Sequence, residues 1–144
     1  MFKLAGSIMI ILSSVFIFSR KSIVNYCTAD FLKHIVNIIQ QIDYKKFRNL
    51  SYDTLFKEIG FDYEKEFEKY SKNIFICQKE IDRVNEFFEN IGKRDREAEN
   101  KYLKYSLETF DNKQKEYFKA YAECRKINLL GGMAMGLFIV LFLI

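Results

Sequence analysis

Proline and tryptophan are absent from this chain, histidine occurs once, and glycine occurs only six times in 144 residues. With no proline and only Gly60 and Gly92 between residues 22 and 126, little interrupts a helix over that stretch. Its wealth of Lys, Glu, Leu, Ile and Phe completes an all-α reading. The single histidine, His34, falls on the polar shoulder of a helical pattern, where solvent is its expected partner. The three cysteines, Cys27, Cys77 and Cys124, give neither an even disulfide framework nor metal-knuckle spacing with His34. P-loop, dinucleotide-glycine and H-E-x-x-H patterns are missing as well. Neither a cofactor, a metal nor a small-molecule substrate is expected, and the chain does not read as an enzyme.

Charge is missing from two stretches, residues 4–19 and 127–144, and everything ionic lies around or between them. As helices they would be about 24 and 27 Å long, close to the ~30 Å hydrocarbon thickness of a bilayer. The second, INLLGGMAMGLFIVLFLI, is apolar on every face, and a domain this small has nothing to surround it. The first runs through Phe16, Ile17, Phe18 and Ser19 straight into Arg20 and Lys21, a poor cleavage site for a signal peptidase, so it reads as a retained span. Three parts follow: residues 1–21, a first transmembrane segment with its basic flank; 22–126, a small helical domain; and 127–144, a second transmembrane segment.

All 19 acids fall between Asp30 and Glu123, and three of the 23 bases (Lys3, Arg20, Lys21) lie outside residues 22–126, leaving that part 20 minus 19, or +1. So balanced a domain offers no electrostatic footprint for nucleic acid. The basic pairs Arg20–Lys21 and Arg125–Lys126 flank the two spans on their inner sides and predict a cytoplasmic middle domain. Unpaired thiols agree with a reducing compartment.

Within the middle, Phe31, Ile35, Ile38 and Ile42 mark one face of a helix over residues 29–46. Asn49 and Leu50 break the pattern, Ser51 is a good N-cap for a short helix carrying Leu55, Phe56 and Ile59, and Gly60 is its natural stop. From Tyr63 to Ile91, apolar residues alternate in steps of four and three, predicting one long helix or two stacked ones, with Ser71 or Asn73 able to cap the second. Gly92 ends that seam. A second seam, Leu103, Leu107, Phe110, Gln114, Tyr117, Tyr121 and Cys124, predicts a helix that continues into the membrane, on the order of 70 Å in all. The two seams, joined by a short connection, are expected to pack as an antiparallel hairpin. Tyr102, Tyr105 and Phe118 fall beside the second seam as a candidate protein-binding face.

Two small constellations stand out as candidate sites. Asp95, Arg96 and Glu97 sit at the turn between the seams, where Asp95 is placed to cap the last helix and all three to meet a partner. Gly132 and Gly136 form a GxxxG face that allows two helix backbones to approach closely in lipid, with Gly6 and Ser7 as the expected counterpart.

The run Phe87–Phe88–Glu89–Asn90–Ile91–Gly92, then Lys93–Arg94–Asp95–Arg96–Glu97, Lys101 and a long helix into a glycine-bearing final span resembles the stage III sporulation protein AB family. The opening MFKLAGSIMIILSS before a basic pair is similar too, as is the first helix ending near Ile42–Asp43–Tyr44. The resemblance is loose over most of the chain and best over residues 84–144. This chain departs from the family's pattern by carrying Glu99 where Gln is usual, by having no Tyr-Gly and proline-containing turn near residues 44–51, and by a compressed region between Leu50 and Lys79.

The resemblance implies a non-enzymatic membrane component of the channel apparatus between mother cell and forespore. It implies a helical domain like that of the platform proteins of type II secretion and type IV pilus machines, and two kinds of partner, a cytoplasmic secretion-type ATPase and other channel subunits. Two further readings compete: a platform subunit of a secretion or pilus system unrelated to sporulation, and a holin-like membrane hairpin.

Overall fold

The structure, a computed structural model, describes residues 2–45 and 51–143. Lys46, Asn49, Leu50 and Ile144, assigned above to a helix end, a break and a span, lie outside the described residues. The described part is all-α, with α1 (Phe2–Lys45), α2 (Tyr52–Ile59), α3 (Tyr63–Ser71), α4 (Gln78–Asn90) and α5 (Arg96–Leu143).

The predicted first span and the predicted first helix of the middle domain are a single helix, α1, of 44 residues, rather than a span to residue 19 and a separate helix from residue 29. The intervening polar residues do not break it because they turn inward, where Ser22, Asn25 and Thr28 are buried at helical spacing. Thr28 also stitches the fold together, its hydroxyl accepting the Cys77 N–H at 2.9 Å. Near the apolar end α1 bends by 43° between Gly6–Ile17 and Ser19–Lys45. A turn earlier, the Ser13 and Ser14 hydroxyls donate to the carbonyls of Met9, Ile10 and Ile11, back-bonding of a kind that bends helices.

α5 runs unbroken for 48 residues, about 72 Å, as expected. It is long and apolar enough at its far end to cross a membrane, and α1 qualifies as well when its bent halves count as one span. Ile127, Leu130, Phe138 and Leu141 on α5 and Met9, Leu12 and Ile17 on α1 are exposed. A skin of large aliphatic side chains on both helices is what lipid, not water, would solvate.

Between these long helices the seam from Tyr63 to Ile91 is two helices. The break falls at residues 72–77, where Asn73 Oδ1 accepts the Phe75 N–H at 2.9 Å. Cys77, not Ser71 or Asn73, occupies the cap position of α4. Ile74, a member of the predicted seam, is exposed in that turn. Both glycines in the middle stop helices in left-handed geometry, Gly60 at φ 72° and Gly92 at φ 80°. Ser51 caps α2 as predicted, accepting the Thr54 N–H.

The backbone-to-backbone hairpin is formed by α1 and α5, not by the two seams. Small residues explain it toward the apolar end, where Gly132 and Gly136 on α5 let the backbone of α1 at Ile11 and Val15 come close. α4 meets α5 through larger groups. The Phe87 ring stacks on Tyr102 at 5.6 Å and meets Phe110 edge-on at 5.8 Å. Around them Leu32, Ile35, Ile39, Ile42, Ile81 and Leu103 form the fully buried centre.

Candidate functional site

The turn from α4 to α5 is built from its glycine outward. Gly92 takes a positive φ, and a Cβ there would sit 2.9 Å from the Tyr52 ring, so a side chain is excluded by both torsion and space. Next, Asp95 caps α5: its Oδ1 accepts the Ala98 N–H at 2.8 Å and its carbonyl accepts the Glu99 N–H at 2.8 Å. Glu97 pairs along the helix with Lys101 at 2.8 Å. Arg96 and Glu97 are exposed and lie in the first turn of α5. The three predicted residues are therefore adjacent, with Asp95 holding the helix end and the other two facing outward.

Beneath them lies Glu99, legible in the sequence as a first-turn acid and as a departure from the family pattern, but not as a buried group. Glu99 is buried, 5% exposed. Its Oε1 accepts the Gly92 N–H at 2.8 Å and the Tyr52 hydroxyl at 3.1 Å, tying α2, the turn and α5 together. Its Oε2 has no hydrogen-bond partner, and Arg94 Nη1 stands 4.0 Å away. Arg94 is held by the Asn90 carbonyl at 2.8 Å and lies over the Tyr102 ring at 3.7 Å. Burial, followed by the nearby Glu99 charge, raises the Tyr52 phenol well above the usual tyrosine range. A similar knot lies midway along the bundle, where buried Glu80 is bonded by Arg83 at 3.1 Å and by the Tyr117 hydroxyl at 3.2 Å. No sequence pattern pointed to the burial of either carboxylate, because both sit in ordinary Lys/Glu-rich runs.

The small-residue face of α5 packs on α1. A Cβ at Gly132 would come within 2.7 Å of the Val15 Cα, and one at Gly136 within 2.6 Å of the Ser14 hydroxyl and 2.8 Å of the Ile11 Cα. Both glycines are required by that approach. The partner is the expected α1, met at Ile11, Ser14 and Val15, while Gly6 has open space where a Cβ would be. One level nearer the middle domain, Asn128 Nδ2 donates to Ser22 Oγ at 3.3 Å.

The three residues beside the second seam have different fates. Tyr102 belongs to the core against Phe87, whereas Tyr105 and Phe118 remain exposed, Phe118 beside Tyr121 at 6.1 Å. His34 is exposed, with its ring 6.2 Å from that of Tyr70. The described residues hold no group of three His, Cys, Asp or Glu side chains able to share a metal ion.

Residues 48–144, which include the capped turn, the buried carboxylates and all of α5, match the family model of stage III sporulation protein AB. The chain belongs to the stage III sporulation protein AB family. It is a sporulation protein, of a family that is structural or assembly-related and not known for catalysis. No curated protein and no solved structure matches it.

Proposed function

We propose that this member of the stage III sporulation protein AB family is a two-span membrane protein and an assembly platform of the channel apparatus between mother cell and forespore. Its middle domain stands on the cytoplasmic side, where it receives a secretion-type ATPase, and its spans hold other channel subunits. The observation carrying this reading is the continuity of α5, one helix from the Asp95 cap to the glycine face and the apolar end. A displacement at one end of an unbroken helix reaches the other, which suits a part linking a motor to a membrane assembly. Sidedness follows from Arg20, Lys21, Arg125 and Lys126, which the Ser22–Asn128 bond brings to one level of the hairpin.

Purification of the detergent-solubilised chain from sporulating cells tests the proposal. Recovery of the secretion-type ATPase with the parent chain, and its loss with the R96E/E97K pair, is the expected result. Recovery of channel subunits without any ATPase, from the parent chain as well, would remove the motor-docking role.

A further inference from the structure

Where α1 and α5 leave the apolar zone, the two helices form an open cleft of about 300 Å³ lined by Ser19, Ser22, Ile23, Tyr26, Tyr121, Arg125 and Leu129. The geometry points to a seat for the headgroup of an anionic phospholipid in this cleft, an inference that rests on the membrane reading above. Arg125 is the charged group in the lining, and no carboxylate joins it there. Its guanidinium carbon lies 5.9 Å from the Tyr121 ring, and that ring is 5.2 Å from the ring of Tyr26. The two phenols thus form an aromatic wall at the depth where membrane proteins place tyrosine. Ser22, a residue only 4% exposed, contributes a hydroxyl whose oxygen accepts from Asn128 Nδ2 at 3.3 Å and which has a proton of its own to donate. One helical turn beyond Arg125 on α5, Leu129 is half exposed and gives an apolar exit toward the span.

A phosphodiester fits this combination of guanidinium, hydroxyl and phenol, and acyl chains fit the exit past Leu129. Arg20, Lys21 and Lys126 are exposed at the same level. Glu123, the nearest acid in sequence to Arg125 on α5, is paired with Lys119 at 3.8 Å. The surroundings are therefore net positive and favour a headgroup without a balancing amine, such as phosphatidylglycerol, over phosphatidylcholine.

Native mass spectrometry of the full chain in detergent, with dioleoylphosphatidylglycerol or dioleoylphosphatidylcholine added, provides the test. Preferential retention of phosphatidylglycerol is expected, falling about fivefold in Arg125→Ala and far less in Arg20→Ala, which removes the same charge outside the cleft. Equal retention of the two lipids, or equal losses in the two variants, would reduce the effect to diffuse attraction and overturn the seat. Displacement of the bound lipid by inorganic phosphate would make it a free-anion site and likewise overturn it. Alkaline carbonate extraction separates the two levels. A chain that stays with membranes yet shows no lipid preference refutes the seat alone, and a chain that washes off refutes the membrane reading and the seat with it.

Discussion

The Tyr52 hydroxyl on α2 donates to Glu99 Oε1 on α5 across 3.1 Å, although the two residues are 47 positions apart. Because the same oxygen also receives the Gly92 N–H, one buried carboxylate sets the positions of a helix, a turn and the start of the longest helix.

Replacing that acceptor should be expensive and replacing its charge should not. Glu99→Ala takes the acceptor from the Gly92 N–H and the half-buried Tyr52 hydroxyl and is expected to cost about 1–3 kcal/mol in denaturant unfolding. Glu99→Gln keeps the accepting oxygen, and at Oε2 gives up no hydrogen bond but only the 4.0 Å approach of Arg94, so it is expected to lie within about 1 kcal/mol of the parent. Equal losses in the two variants would mean that the negative charge, not the acceptor, holds the turn.

At the start of α5, Asp95→Ala should destabilise by about 1 kcal/mol through loss of the cap. Arg96→Ala and Glu97→Ala, on exposed side chains, should leave the unfolding midpoint unchanged. A midpoint shift in either of these two as large as that of Asp95→Ala would give the whole triplet a structural role.

The glycine contact is open to a crosslinking measurement. With the native cysteines replaced, the pair S22C/N128C should form a disulfide readily, since the native side chains meet at 3.3 Å. Adding Gly132→Leu and Gly136→Leu forces the α1 and α5 backbones apart and should cut the yield several-fold. An undiminished yield would show that α1 and α5 are held together elsewhere.

Alkaline pH should weaken the domain. In the fold, burial and then Glu99 raise Tyr52, and burial and then Cys77 and Glu80 raise Tyr117, above the ordinary tyrosine value of 10.0. Over that window the unfolded chain has released protons that the folded chain retains, so stability falls as pH rises above about 10. A melting series from pH 8 to about 11.5 should show this decline, shallower in Tyr52→Phe and Tyr117→Phe. Parallel curves for parent and variants would remove these phenols as the cause.

Sidedness is read from the thiols. Cys77 and Cys124 should resist a membrane-impermeant maleimide in intact cells and react after lysis. Cys27 should react slowly even then, because burial, with Asp30 nearby, raises its thiol and thins the thiolate population. Labelling of Cys77 in intact cells would turn the domain outward and take it away from a cytoplasmic ATPase.

Much of this arrangement was legible from periodicity and punctuation. Ser51, Gly60 and Gly92 act where a helix start or stop was read, and the unbroken polar-to-apolar pattern after Asp95 became one helix. Periodicity failed where polar residues faced inward. Ser22, Asn25 and Thr28 looked like a gap between helices but are the side of α1 buried in the fold. It also says which residues share a face, not which helix that face meets. The two regular seams therefore looked like partners, while the closer approach went to α1 and α5, where Gly132 and Gly136 permit it. The two buried carboxylates escaped notice because burial of Glu80 and Glu99 is decided by distant tyrosines, Tyr117 and Tyr52.

The rigidity of α5 also acts as a ruler. Thirty residues of unbroken helix separate Lys126 from Arg96, which is about 45 Å at the helical rise. With the apolar end in lipid, the Asp95 turn stands off from the bilayer by up to that distance, depending on tilt. On the proposed reading, a change in α5 length by insertion or deletion would alter the height of this turn above the bilayer with no residue of the turn touched.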